Sequence, residues 1–226
     1  LVFMTQMTKV PAPVALRQTQ REITRMGHIA ADNLKRALDC FFHYSVSKAA
    51  SVRSHEESVN ILNHLIADAM VELRTLDLSP ESMRRVSMMT IAVTDIERLS
   101  DHAENIVEYI EQMNAKKAEM SEAARKELLD MSQDAMDAVY LALDIFEKDD
   151  YSKLNQIEIL EQHVDDHEKD LINNHIERIM NSMCNPLGGV IFSDLVTDLE
   201  RCSDHAINLA YALKERPSEL DAPKLV

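Results

Sequence analysis

Apolar residues recur at steps of three and four along most of the chain, the period of helices that bury one stripe. Six such segments can be laid out. Over residues 14–46 the stripe is Ile23, Met26, Ile29, Ala30, Leu34, Ala37, Leu38 and Phe41. Over 51–76 it is Val59, Leu62, Leu65, Ile66, Ala69 and Leu73. A third segment, 80–114, carries Val86, Met89, Val93, Ile96, Ala103, Ile106, Ile110 and Met113. A fourth is capped by Ser121 and reaches Phe146, and a fifth opens at Asp149-Asp150 and reaches Met183. The sixth, 186–215, carries Phe192, Leu195, Leu199, Cys202, Ala206, Leu209 and Leu213. Two starts are explicit: Ser79-Pro80-Glu81 and Asn185-Pro186 each place a capping side chain before a proline in the first turn. Pro11 and Pro13 mark the residues before the first helix as a linker.

The third and sixth segments contain nearly the same words. Val93–Asn105 reads VTDIERLSDHAEN and Val196–Asn208 reads VTDLERCSDHAIN, ten identities in thirteen positions at a spacing of 103 residues. That spacing is too long for a solenoid repeat. Each half is helix, helix, cap with proline, then the repeated helix. The pattern predicts an all-α chain of two antiparallel three-helix bundles in tandem, related by a pseudo-twofold. The expected division is a linker over 1–13, bundles over 14–118 and 119–216, and a polar tail over 217–226.

Composition sharpens this. With 226 residues the chain can bury a real core, and 46% apolar content is ordinary. Only three Gly and six Pro leave little turn chemistry for a sheet protein. Thirteen Met and no Trp mean that Leu, Ile, Val, Ala and Met fill the interior. The formal net charge of −15, with no basic stripe, argues against a nucleic-acid partner and suits cations. Three scattered cysteines form no C-x-x-C and read as reduced, buried thiols. No apolar run reaches the roughly 20 residues of a membrane helix. The chain opens Leu-Val-Phe-Met without an initiator Met, which suits a fragment of a longer polypeptide.

The repeated segment carries the candidate chemistry. On a helix, residues four apart share a face, so Glu97 projects with Asp101, and Glu200 with Asp204. Like charges at this spacing repel, and an arrangement written twice asks for a compensating cation. Such pairs could ligate a hard divalent metal or iron. Glu56 with Asn60, and Glu161 with Asp165, are second-tier candidates on the preceding helices. Asp95 and Asp198 stand about 200° around the helix from Glu97 and Glu200, and are expected to pair with Arg98 and Arg201. His102 and His205 are turned about 100° from the acids and are read as hydrogen-bonding or interface residues.

The doubled D-[IL]-E-R-x-S-D-H-A-x-N, in an acidic six-helix chain of this length, resembles the PhoU family. The segment LRQTQREITRMGHIAADNLKRAL, from Leu16 to Leu38, is similar to the start of the PhoU-like domain at the C-terminal end of bacterial sodium/phosphate cotransporters. The resemblance implies a regulator of phosphate uptake and not an enzyme, either the cytoplasmic domain of such a cotransporter or a free-standing phosphate-signalling regulator. It implies multinuclear iron or zinc, or another ion such as nickel or manganese, on Glu97, Asp101, Glu200 and Asp204. It implies a partner that is a transporter's membrane domain or a phosphate-signalling protein, with a homodimer as a further option, at the cytoplasmic face of the plasma membrane. Ser100 and Ser203 depart mildly from the Gly or Ala common in the family.

Two rival readings remain. Carboxylate-bridged di-iron oxidases need Glu-x-x-His on two helices, and none of the nine His has an acid three residues before it. A metal-free scaffold, whose acids dock a basic partner, predicts salt-sensitive binding.

Overall fold

Ser45, Ser79, Ser121 and Asn185 set where four of the six helices begin. Each accepts a hydrogen bond from the backbone N–H three residues on, at Lys48, Ser82, Ala124 and Gly188. The computed structural model describes residues 1–4 and 9–214. Its helices are α1 (Ala12–Phe42), α2 (Val46–Leu73), α3 (Pro80–Lys116), α4 (Glu122–Lys148), α5 (Leu154–Met180) and α6 (Pro186–Tyr211). No strand occurs among the described residues.

The expected elements are present, with shifted ends. Pro13 lies inside the first turn of α1, where a missing N–H costs nothing, so the helix starts at Ala12. The first connection is residues 43–45, earlier than the apolar pattern places it. Phe41, Phe42 and Val46 carry that pattern across the break. Asp149 ends α4 instead of opening α5. It takes the left-handed conformation (φ 54°), which a short polar side chain tolerates, and Asp150 then caps the 3₁₀ turn Tyr151–Lys153. Leu65, placed on the buried stripe, is 42% exposed. The expected end of the sixth helix at Glu215, and the tail over 217–226, lie outside the described residues.

α1 packs on α2 and α3, and α4 on α5 and α6, giving one three-helix bundle in each half. The bundles join through α3 against α6 and α1 against α4, which leaves α2 and α5 outermost. One continuous apolar core results, with Phe41, Phe146, Phe192, Met26, Met89 and Ile96 fully enclosed. At one end a polar clamp ties the halves. Gln20 of α1 donates to the Phe146 carbonyl at 2.7 Å, and Arg85 of α3 donates to Gln20 at 2.8 Å and to Asp149 at 3.0 Å.

Gly188, in the first turn of α6, sits where that turn meets the approach to α4. A Cβ there would stand 2.6 Å from the Glu119 carbonyl oxygen, a backbone atom that cannot rotate away. Gly188→Ala gains up to about 1 kcal/mol of helix propensity. Displacing the α4 turn should outweigh that, for a net loss of about 2 kcal/mol. Urea unfolding would show a lower midpoint; an unchanged or higher midpoint would refute the clash.

Candidate metal centres

Each repeated segment has two working faces. Positions 95 and 102 are seven residues apart, nearly two full turns, and so lie on one side of α3. Positions 198 and 205 do the same on α6. These sides meet at the seam between the bundles. His102 Nδ1 lies 3.0 Å from Asp198, and His205 Nδ1 lies 2.9 Å from Asp95. The carboxylates accept, so each Nδ1 carries the proton. The two imidazoles face each other with centroids 5.8 Å apart. The exchange is reciprocal, as a twofold requires.

This places the histidines at the interface expected of them and corrects the pairing of the aspartates. Asp95 and Asp198 bind imidazoles from the opposite bundle, not Arg98 and Arg201. Arg98 instead reaches Asp101 at 3.3 Å, and Arg201 lies 3.7 Å from Glu200. Both guanidinium side chains are more than half exposed. A seam between helices can bury an aspartate only against a donor, and the facing helix supplies one. Asp198 has two donors more: Tyr109 Oη at 2.8 Å and Asn105 Nδ2 at 3.4 Å. Burial and the hydrogen bond to Asp198 push the Tyr109 phenol well above its usual range.

The second face holds the acids. Glu97 and Asp101 project from α3 toward α2, where Glu56 and Asn60 stand. The Asn60 amide donates to Glu56. Burial, then Glu104 and Asp101, raise the Glu56 carboxyl, and burial with Asp101 raises Glu97. The second bundle repeats this with more acid. Burial pushes Glu200 up to about 7, with Asp204, Glu168 and Asp165 adding to it against Arg201. Glu161 is raised by burial, Asp165 and Asp204. So Glu161 and Asp165 on α5 do face Glu200 and Asp204 on α6. Glu104 and Glu168, absent from the sequence reading, join them. The spacing could have found them: Glu104 follows Asp101 by three residues and Glu97 by seven, and Glu168 follows Asp165 and Glu161 in the same way, so each shares a helix side with two candidate acids.

Donor chemistry is all carboxylate and amide oxygen, which suits a hard cation or iron. The mutual repulsion is the charge such an ion would compensate. The spacing is looser: among the described residues no three His, Cys, Asp or Glu side chains stand close enough to hold one ion as placed.

Comparison with known proteins gives a consistent family. The PhoU domain matches residues 23–110 and 128–213, one copy in each bundle. PhoU from Pseudomonas aeruginosa superimposes with a TM-score of 0.81 at 18% identity, covering 88% of this chain and 94% of that one. The phosphate transport system regulatory protein PhoU from Streptococcus pneumoniae gives 0.80 at 18% identity, covering 90% and 95%. A putative PhoU-like phosphate regulatory protein from Shewanella oneidensis MR-1 gives 0.63 at 14% identity, covering 86% and 96%. No curated protein matches. The chain belongs to the PhoU family.

Proposed function

We propose that this PhoU-family chain is a non-enzymatic regulator of phosphate transport whose two acidic helix faces bind hard divalent cations or iron. The observation that carries the metal reading is acid that one exposed arginine on each face compensates only in part. In both bundles two neighbouring helices present carboxylates that burial and one another hold above their usual range, while the nearest arginines face solvent. The regulatory reading is supported by the family and by the likeness to the phosphate transport system regulatory protein of Streptococcus pneumoniae.

Glu97 and Asp101, with Glu56 and Asn60, form one candidate ligand set; Glu200 and Asp204, with Glu161 and Asp165, form the other. A bound cation would neutralise these acids and draw α2 onto α3, or α5 onto α6. The outer helices are the elements free to report this, since neither takes part in the seam. The partner on this reading is the membrane domain of a sodium/phosphate cotransporter or a phosphate-signalling protein, on the cytoplasmic side. The segment from Leu16 to Leu38 favours the cotransporter. Among the described residues no helix is long and apolar enough to cross a membrane, so any membrane-embedded part lies in other residues.

Metal content by plasma mass spectrometry tests this. Protein incubated with iron, zinc, nickel or manganese and then desalted should retain near-stoichiometric metal. Changing Glu97, Asp101, Glu200 and Asp204 together to Ala should reduce that at least tenfold. A parent that emerges metal-free would overturn the metal reading and leave the faces as a docking surface for a basic partner.

A further inference from the structure

The outer side of the second bundle turns apolar where its acid face ends. Ile172, Ile176 and Ile179 follow one another at steps of four and three, so they share one side of α5. Glu168 stands on that side too, one turn before Ile172. Facing the isoleucines are Pro186, Val190 and Asp194 of α6, each four residues after the last, and between the two rows runs a groove of about 560 Å³. Ile176 is 49% exposed, Ile179 54% and Val190 59%, and Met180 and Met183, where α5 ends, are more so. Large apolar side chains gathered on one face mark a contact surface. The first bundle breaks the pattern. In the register that aligns Glu56 with Glu161, Ala67, Val71 and Arg74 take the places of the isoleucines, and in the register of the repeated segment Ser87 takes that of Val190.

Charge selects the occupant. Among the described residues no lysine or arginine lines the groove, and neither Asp194 nor Glu168 is in an ion pair. Lys169, the cation beside Glu168, is paired with Asp166 at 3.5 Å. Two copies meeting here about a twofold would press these acids together on chains of net charge −15. We propose that the groove receives an amphipathic helix of the regulated partner. Its apolar side chains, at steps of three and four, lie on Ile172, Ile176, Ile179 and Val190, and its lysines or arginines meet Asp194 and Glu168. From Glu168 to Ile179 this side of α5 is about 17 Å long, room for about three turns of the incoming helix. The inference rests on the reading of this chain as a regulator that works through a partner, and it uses none of the proposed metal ligands.

The test uses the full chain in chelator-treated buffer with a fluorescein-labelled peptide of about 15 residues, long enough to hold a helix. It carries leucines at steps of three and four with lysines flanking them; the control has glutamate for every lysine. Fluorescence anisotropy should show the lysine peptide binding about tenfold tighter or more. Ile176→Asp with Ile179→Asp should weaken that binding about tenfold, although the chain becomes more acidic; a peptide held by charge alone would bind tighter. Val190→Asp, on the other helix, should act in the same direction, and since all three positions are exposed both variants should melt close to the parent. Absent binding, equal binding of the two peptides, or binding that neither variant weakens would overturn the proposal. So would self-association of the parent in sedimentation equilibrium that the variants abolish, which would assign the face to a second copy. A chain that retains metal but ignores the peptide loses this inference alone, and one that binds the peptide but retains no metal loses the metal reading alone.

Discussion

Asp198→Ala should destabilise the protein by about 3 kcal/mol, and Asp95→Ala by roughly a third of that, although the two residues occupy the same place in the repeated segment. Asp198 accepts from His102, Asn105 and Tyr109, and its loss leaves these half-buried donors facing each other with no acceptor. Asp95 accepts from His205 alone, and removing it also removes the buried, unpartnered Oδ2. Urea unfolding followed by circular dichroism would give both values. Equal losses, or a larger loss at Asp95, would show that the donor count does not set the energetics of the seam.

Glu200→Gln should stabilise the protein at pH 8 in chelator-treated buffer, on the order of 2 kcal/mol, and should do nothing at pH 4. The sign follows from an acid raised on folding, from 4.5 to about 7. Below the unfolded value Glu200 is protonated in both states. Between 4.5 and about 7 the unfolded chain releases its proton while the folded one keeps it, so the native state loses ground as pH rises. Above the folded value the deficit is constant. The side chain is 22% exposed, so solvent screening trims the full deficit to the figure above. Thermal melts of parent and variant at both pH values would measure it. Manganese added at pH 8 should narrow the gap by stabilising the parent. A variant less stable than the parent at pH 8 would remove the argument that these carboxylates carry uncompensated charge.

The sequence was most informative where one helix decides the outcome. Three of the four side-chain caps, Ser79, Ser121 and Asn185, could be read from the sequence, whereas Ser45 hid inside an apolar pattern that runs across the break. The acid faces could be read as well, since i, i+4 spacing alone puts Glu97 with Asp101 and Glu200 with Asp204. What could not be read was which helix each face meets. Sequence proximity pairs Asp95 with Arg98, whereas its actual partner His205 is near only in space. Leu65 failed for a related reason. α2 packs chiefly on α1 and α3 of its own bundle, so Leu62, Ile66 and Leu73 suffice to cover the core, and a wider stripe has little to pack against. The heptad spacing of Asp95 and His102, repeated at Asp198 and His205, was the one signal that pointed across the seam.

The imidazole–carboxylate exchange also bears on how the chain assembles. Contacts within each bundle join neighbouring helices, whereas the two exchanges link residues 96 and 110 apart. Closing loops of that length is slow, so the halves gain their own helices and cores first and dock afterwards. Docking then faces a choice of register, since two apolar helix sides can slide by a turn at little cost. A slip of one turn would take each aspartate off its imidazole, and would do so twice. The seam therefore proofreads its own closure: only the in-register encounter forms both imidazole–carboxylate pairs, and misdocked forms are free to separate and try again.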